Sequence, residues 1–219
     1  MSAITRIVLA SNNPGKLQEL QAMFAPLGLQ LMAQSELDIP EAPEPFHTFV
    51  ENALAKARHA SRYSGLPALA DDAGLCVDAF QGLPGVQTAF YCTQFGYTKS
   101  DDNNRRALLE QMQDITNRKA ALVSTLVALR HTDDPEPLIA SGRAAGEITR
   151  ELRGTNGFGF DPVMLIPELN MTFAEMTEEE KNHRSHRGQA ARLMRELMAQ
   201  RWLTSRPPIQ PRRLAICKR

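Results

Sequence analysis

The stretch Pro67-Ala68-Leu69-Ala70-Asp71-Asp72-Ala73-Gly74-Leu75 runs from an apolar segment into two acids and out again into Ala-Gly-Leu. The residues before the acids suit a buried strand. Ionised carboxylates out of water need a cation, a metal or several hydrogen-bond donors. Residues 68–70 and 75–77 are therefore read as short strands flanking the pair, as in a hairpin, with the acids at a strand end. That is where α/β folds place their chemistry. A solvated hairpin tip with two turn-favouring aspartates would use the same letters, so the rest of the chain has to decide.

Outward from this stretch, strands and helices alternate. Residues 4–10 read as a first strand. Ser11-Asn12-Asn13-Pro14-Gly15 is a turn cluster, and Lys16 opens a helix carrying Leu17, Leu20 and Phe24 on one face. Residues 29–33 read as a second strand and 38–45 as a Pro- and Glu-rich loop. Residues 49–63 form a helix with Val50, Ala53, Leu54, Ala57 and Ala60 at helical spacing. A helix is expected over 102–112, a central strand over 120–130, and further strands over 138–140, 146–148 and 162–166. Thr177-Glu178-Glu179-Glu180 reads as a capping box. Residues 189–200 form a last amphipathic helix, with Leu193 and Leu197 inward. This order predicts an α/β fold, a mixed sheet with helices on both faces.

The 219 residues suffice for one large domain or two lobes around one core. Net charge is zero but uneven. Residues 201–219 hold six cations and no acid, which leaves 19 cations against 25 acids, a net of −6, in residues 1–200. An acidic body argues against a nucleic-acid binder. Three prolines, Pro207, Pro208 and Pro211, and few large apolar residues mark 201–219 as a mobile basic tail. Cys76, Cys92 and Cys217 form no C-x-x-C pair, so a reducing, cytoplasmic compartment is expected. No signal-peptide pattern opens the chain, and no run approaches a membrane span.

Four clusters can carry chemistry. Ser11-x-Asn13-x-Gly15-Lys16 joins a strand to a helix N-terminus, where free N–H groups and a lysine favour phosphate. The spacing is not that of a Walker A loop. Glu41, Glu44, Glu51 and Lys56 gather around the second helix, and a carboxylate from this group can join the Asp pair at a magnesium ion. Gly157-Phe158-Gly159-Phe160-Asp161-Pro162 sets aromatics and an acid in a glycine loop, suited to stacking on a base or to plugging a core. Lys181-Asn182-His183-Arg184-Ser185-His186-Arg187-Gly188 is basic and follows three glutamates. It offers either a salt-bridged helix end or donors for a purine edge.

Together these segments resemble the inosine triphosphate pyrophosphatase family. Six pieces occur in family order: Ser11-x-Asn13-x-Gly15-Lys16, Thr48-Phe49-x-Glu51-Asn52-Ala53, Ala70-Asp71-Asp72-x-Gly74-Leu75, Leu83-Pro84-Gly85-Val86, Gly157-Phe158-Gly159-Phe160-Asp161-Pro162 and Ser185-His186-Arg187-Gly188. The likeness spans residues 4–200, a single domain taken as 1–200.

The resemblance implies an elongated mixed sheet with two lobes around a central nucleotide cleft, and a homodimer. It implies Mg2+-dependent conversion of XTP, dITP or ITP to the monophosphate and pyrophosphate. By position it makes Asp72 the proton acceptor, with Glu44 and Asp72 at the metal. Lys16 and Lys56 match phosphate-binding lysines, and Ser11, Asn13, Ala73, Gly159 and Phe160 fall in substrate-binding segments. Phe158, Asp161, Lys181, His186 and Arg187 match the base-recognition shell. Ala73 replaces a common Ser, Phe160 a common Tyr, and Pro45-Phe46-His47 follows Glu44 where members have Thr-Gly. A Maf-like nucleotide pyrophosphatase, a nucleotide-binding regulator without turnover and a nucleic-acid module using the tail are the alternatives.

Overall fold

The computed structural model describes residues 4–203. Seven strands form one mixed sheet in the order β2-β1-β3-β4-β5-β6-β7. They are β1 (Arg6–Leu9), β2 (Gln30–Ala33), β3 (Ala68–Val77), β4 (Lys119–Leu129), β5 (Leu138–Ile148), β6 (Met164–Ile166) and β7 (Met171–Thr172). β1 pairs in parallel with β2 and β3, and every later pairing is antiparallel. The α/β mixed-sheet expectation holds. β3, β4 and β5 have 10, 11 and 11 residues and set the long dimension, about 35 Å at the usual rise per residue.

Two expected pairs of short strands are each one long strand. β3 runs unbroken through Asp71-Asp72, and β5 runs through Gly142. In β5, glycine admits a close approach rather than a turn: a Cβ at Gly142 would collide with the His186 carbonyl oxygen. In β3, strand alternation sends the two carboxylates to opposite faces, where each meets its own cations.

Five α-helices pack on the sheet: α1 (Pro14–Phe24), α2 (Phe49–Ser64), α3 (Asp101–Gln111), α4 (Glu178–Arg184) and α5 (His186–Met198). Side-chain caps start each one. Asn13 accepts from Lys16 N–H, Thr48 from Glu51, Ser100 from Asn103, Thr177 from Glu180 and Ser185 from Gly188. α5 begins three residues before the sequence reading because Ser185 caps it. Its inner face is Ala190, Ala191, Met194 and Met198, while Leu193 is 47% exposed, contrary to expectation. Val50 of α2 is likewise exposed.

One apolar core joins α1 and α5 to β1, β2 and the near halves of β3–β5. A second places α2 on the opposite face of the same region. A third gathers Leu75, Val77, Leu108, Met112, Leu122, Ile148, Phe160 and Phe173 around the far halves of the long strands. The two ends of the sheet thus carry separate cores, the two lobes, and the cleft lies between them at the level of Ala73 and Gly74. Trp202 and Leu203 pack on the first core. The remainder of the expected tail lies outside the described residues.

Candidate active site

β1 stops pairing with β3 at Leu69, whose carbonyl accepts from Ala10 N–H at 2.8 Å. Beyond that point the chain turns through Ser11–Asn13 into α1, and β3 continues alone on that edge. The Asp71 carbonyl accepts from Lys16 Nζ at 3.3 Å. The acids are mid-strand in β3 and not at a strand end as expected; it is the neighbouring parallel strand β1 that ends beside them.

On the α1 and α5 side, charges alternate along a buried ladder. Lys16 Nζ lies 3.1 Å from Asp71 Oδ2, and Arg187 Nε donates to the same oxygen at 3.0 Å. Arg187 Nη1 donates to Glu19 Oε2 at 2.7 Å. Lys181 Nζ donates to Glu19 Oε1 and to Asp161 Oδ2, both at 2.7 Å. Ser124 Oγ donates to Asp71 Oδ1 at 2.6 Å. Three cations meet three carboxylates, so these buried charges are compensated. Burial alone would raise the Asp71 carboxyl, but Arg187 and then Lys16 hold it far below the ordinary range. Burial depresses Lys16 despite Asp71.

On the α2 side, Lys56 Nζ donates to Asp72 Oδ1 at 3.0 Å and to Glu44 Oε2 at 3.1 Å. Asp72 Oδ2 is buried and has no hydrogen-bond partner among the described residues. Burial raises the Asp72 carboxyl in spite of Lys56. Burial also works against the Lys56 ammonium, but Asp72 and Glu44 together keep it raised. A buried carboxylate oxygen without a donor suits a cation or a proton. Glu44 and Asp72 offer hard oxygen ligands of the kind magnesium takes alongside substrate phosphates.

A cavity opens between the lobes. Lys16, Asn13, Ala73, Phe158, His186 and Arg187 line it from one side, and Thr88, Asp101 and Asn104 from the other. The Phe158 ring forms one wall, with Lys181 Nζ 4.6 Å and the Arg187 guanidinium 5.5 Å from its centroid. A Cβ on Gly15 would lie 2.8 Å from that ring, so glycine there makes room for it. His186 Nδ1 is buried without a partner among the described residues, and burial, then Arg187, lowers this imidazole well below its usual pKa, which favours the neutral form.

Most of the anticipated residues converge here, with altered roles. Asp161 is committed to Lys181 and to the Phe158 N–H at 2.9 Å, so it shapes the loop. Phe160 is 4% exposed and belongs to the far core, although it touches the cavity. The Ser11 hydroxyl accepts from Asn13 N–H at 3.2 Å and orders the turn. Gly159 lines the cavity. Glu41 accepts from the Asn12 side chain, and Glu51 from Thr48, leaving Glu44 as the carboxylate nearest Asp72 through Lys56. Lys181 and Arg187 pair across the site rather than with Glu178–Glu180.

Glu19 is the residue the sequence reading missed. It bridges Lys181 and Arg187 from α1, and the available signal was an acid beside Leu20 on that helix's apolar face.

Residues 7–197 match the sequence profile of the Ham1 family. A protein of Albidiferax ferrireducens named dITP/XTP pyrophosphatase is 73% identical over 90% of this chain and 100% of its own length. One of the same name from Polaromonas naphthalenivorans is 70% identical over 90% and 100%. The structure of a HAM1 protein from Coxiella burnetii superposes with a TM-score of 0.83 at 40% identity, covering 90% of this chain and 100% of that one.

Proposed function

Matched over residues 7–197, the chain belongs to the Ham1 family, and on that premise we propose that it hydrolyses non-standard purine nucleoside triphosphates. The substrates are XTP, dITP and ITP, and the products are the nucleoside monophosphate and pyrophosphate. The observation that carries the reading is a cleft lined by Asn13, Lys16, Phe158, His186 and Arg187 beside Ala73 of β3, whose neighbour Asp72 keeps Oδ2 without a partner among the described residues. Lys16 and Arg187 can meet a polyanion there, and Asp72 can accept a proton.

The chain's groups divide the work. Lys16 lines the cavity, and Lys56 lies on the α2 side against Asp72 and Glu44; in this reading both offset charge on the departing pyrophosphate. A water attacks the α-phosphorus and the bond to the bridging oxygen breaks. Asp72 orients that water and takes its proton. Glu44 and Asp72 would hold Mg2+, which supplies positive charge to the phosphate oxygens when bound. Phe158 stacks on the base, and Lys181, His186 and Arg187 present the polar side of the pocket to its edge. A donor aimed at a 6-keto oxygen meets another donor when adenine enters, which costs about 1–3 kcal/mol for each unpaired polar group.

The protein works as a homodimer in the cytoplasm in this reading. No described helix is long and apolar enough to cross a membrane. A nucleotide panel with separate detection of phosphate and pyrophosphate tests the proposal. Fast pyrophosphate release from XTP and dITP, and slow release from ATP, dTTP and UTP, is expected. A preference for dTTP or UTP would favour a Maf-like enzyme instead.

A further inference from the structure

Both backbone polar groups of Gly159 are held by one helix of the far lobe. The Gly159 N–H donates to Asp101 Oδ2 at 2.9 Å, and its carbonyl accepts from Arg105 Nη1 at 2.6 Å. Asp101 and Arg105 lie one turn apart on α3, and Asp102 pairs with the other nitrogen of the Arg105 fork. Gly159 has a φ of +60°, and nothing lies within 4 Å of the position a Cβ would take. Gly159 has no side chain to pack, so at this residue the loop is held to α3 by these backbone bonds, between Phe158 at the cavity wall and Phe160 in the far core. Gly157, on the other flank of Phe158, also has a positive φ of +74°. Phe158 is thus carried between two conformationally free glycines. Its N–H is tied to Asp161 and the buried ladder, while its C-terminal neighbour is tied to α3.

We infer that Arg105, assisted by Asp101, is a positioning residue for base binding: it clamps Gly159 and so sets the depth of the Phe158 ring in the cleft. This rests on the proposed reading of the cavity as a nucleotide site. The chemistry fits the task. A guanidinium donating to a carbonyl is a charge-assisted bond, stronger than a neutral one. It spans from the α3 lobe to the loop that faces α1, α4 and α5, so the base wall is registered against both lobes. α3 is anchored by Ala107 and Leu108, fully buried, and capped by Ser100.

The test compares the full-length protein with Arg105→Ala and Arg105→Lys. With XTP and dITP, Arg105→Ala should raise KM about tenfold, the equivalent of one charge-assisted hydrogen bond, with kcat changed less than about twofold. Inorganic tripolyphosphate, which has phosphates but no base, should inhibit both proteins with the same constant. The thermal midpoint should be unchanged, and Arg105→Lys should recover part of the KM. An unaltered KM overturns the clamp. So does a parallel rise in KM and in the tripolyphosphate constant, which marks general damage to the cleft. If the wild-type chain releases no pyrophosphate from XTP or dITP, the substrate reading falls, and the same comparison on the nucleotide it does cleave still decides the clamp.

Discussion

Asp71 and Asp72 adjoin in β3 yet belong to opposite faces of the sheet and to opposite electrostatic regimes. Asp71 faces α1 and α5, accepts from Ser124, and is held ionised by Arg187 and Lys16. Asp72 faces α2, has Lys56 on one oxygen and nothing on the other, and is shifted upward by burial. One carboxylate is spent on architecture and the next is left available.

Asp72→Asn should fold and lower kcat by at least ~10²-fold, as expected for a lost general base or metal ligand. In the wild type, activity requires the ionised form, so kcat/KM falls as pH drops through the raised Asp72 pKa. The acid limb should therefore lie above the ordinary aspartate value of about 3.9 and disappear in the variant. A limb that persists unchanged removes Asp72 from the proton step.

Asp71→Asn should instead destabilise the fold. It leaves Arg187 and Lys16 buried beside a neutral group, a loss of about 3–5 kcal/mol by analogy with broken buried pairs. The Asp71 pKa is depressed on folding, so its contribution is complete above the unfolded value. It is lost as pH falls through the folded value. Urea unfolding at neutral and at acidic pH measures this: the gap between wild type and variant should narrow on acidification.

His186→Ala is the clean probe of base recognition, because Nδ1 has no partner to strand. It should lower kcat/KM for XTP and dITP more than for ATP. The imidazole is already neutral, so selectivity should stay flat with pH around neutrality. Equal loss for every nucleotide would place His186 in the fold or at the phosphates. Arg187→Ala is a poorer probe, since it also takes one of two cations from each of Asp71 and Glu19.

A chain ending at Leu203 should keep its turnover and the proposed dimeric state, measured by pyrophosphate release and gel filtration. Trp202 and Leu203 already pack on the α1–α5 core, and Arg201 reaches Glu136 at 2.9 Å. Loss of either property would give the segment beyond Leu203 a part in the cleft or the interface.

The strand–helix order was legible in the sequence, as were most of the side chains that line the candidate cleft. The strand–helix alternation, the Thr177 capping box and the glycine loop are local signals that tertiary packing did not overturn. What failed depended on partners distant in the chain. Two adjacent acids look incompatible with a strand interior until Arg187, 116 residues away, is seen against Asp71. Glu19 reads as a surface acid until Lys181 and Arg187 arrive from residues 162 and 168 positions later. Gly142 resembles a strand break because glycine marks turns, whereas here it lets α5 lie close to β5.

The central claim is attack at the α-phosphorus, and the position of a single oxygen atom tests it. Hydrolysis of XTP or dITP with magnesium in water labelled with heavy oxygen, followed by mass spectrometry of the separated products, reads out that atom. The account predicts label in the nucleoside monophosphate and none in pyrophosphate. Label in pyrophosphate, or in orthophosphate released directly from the triphosphate, would contradict it.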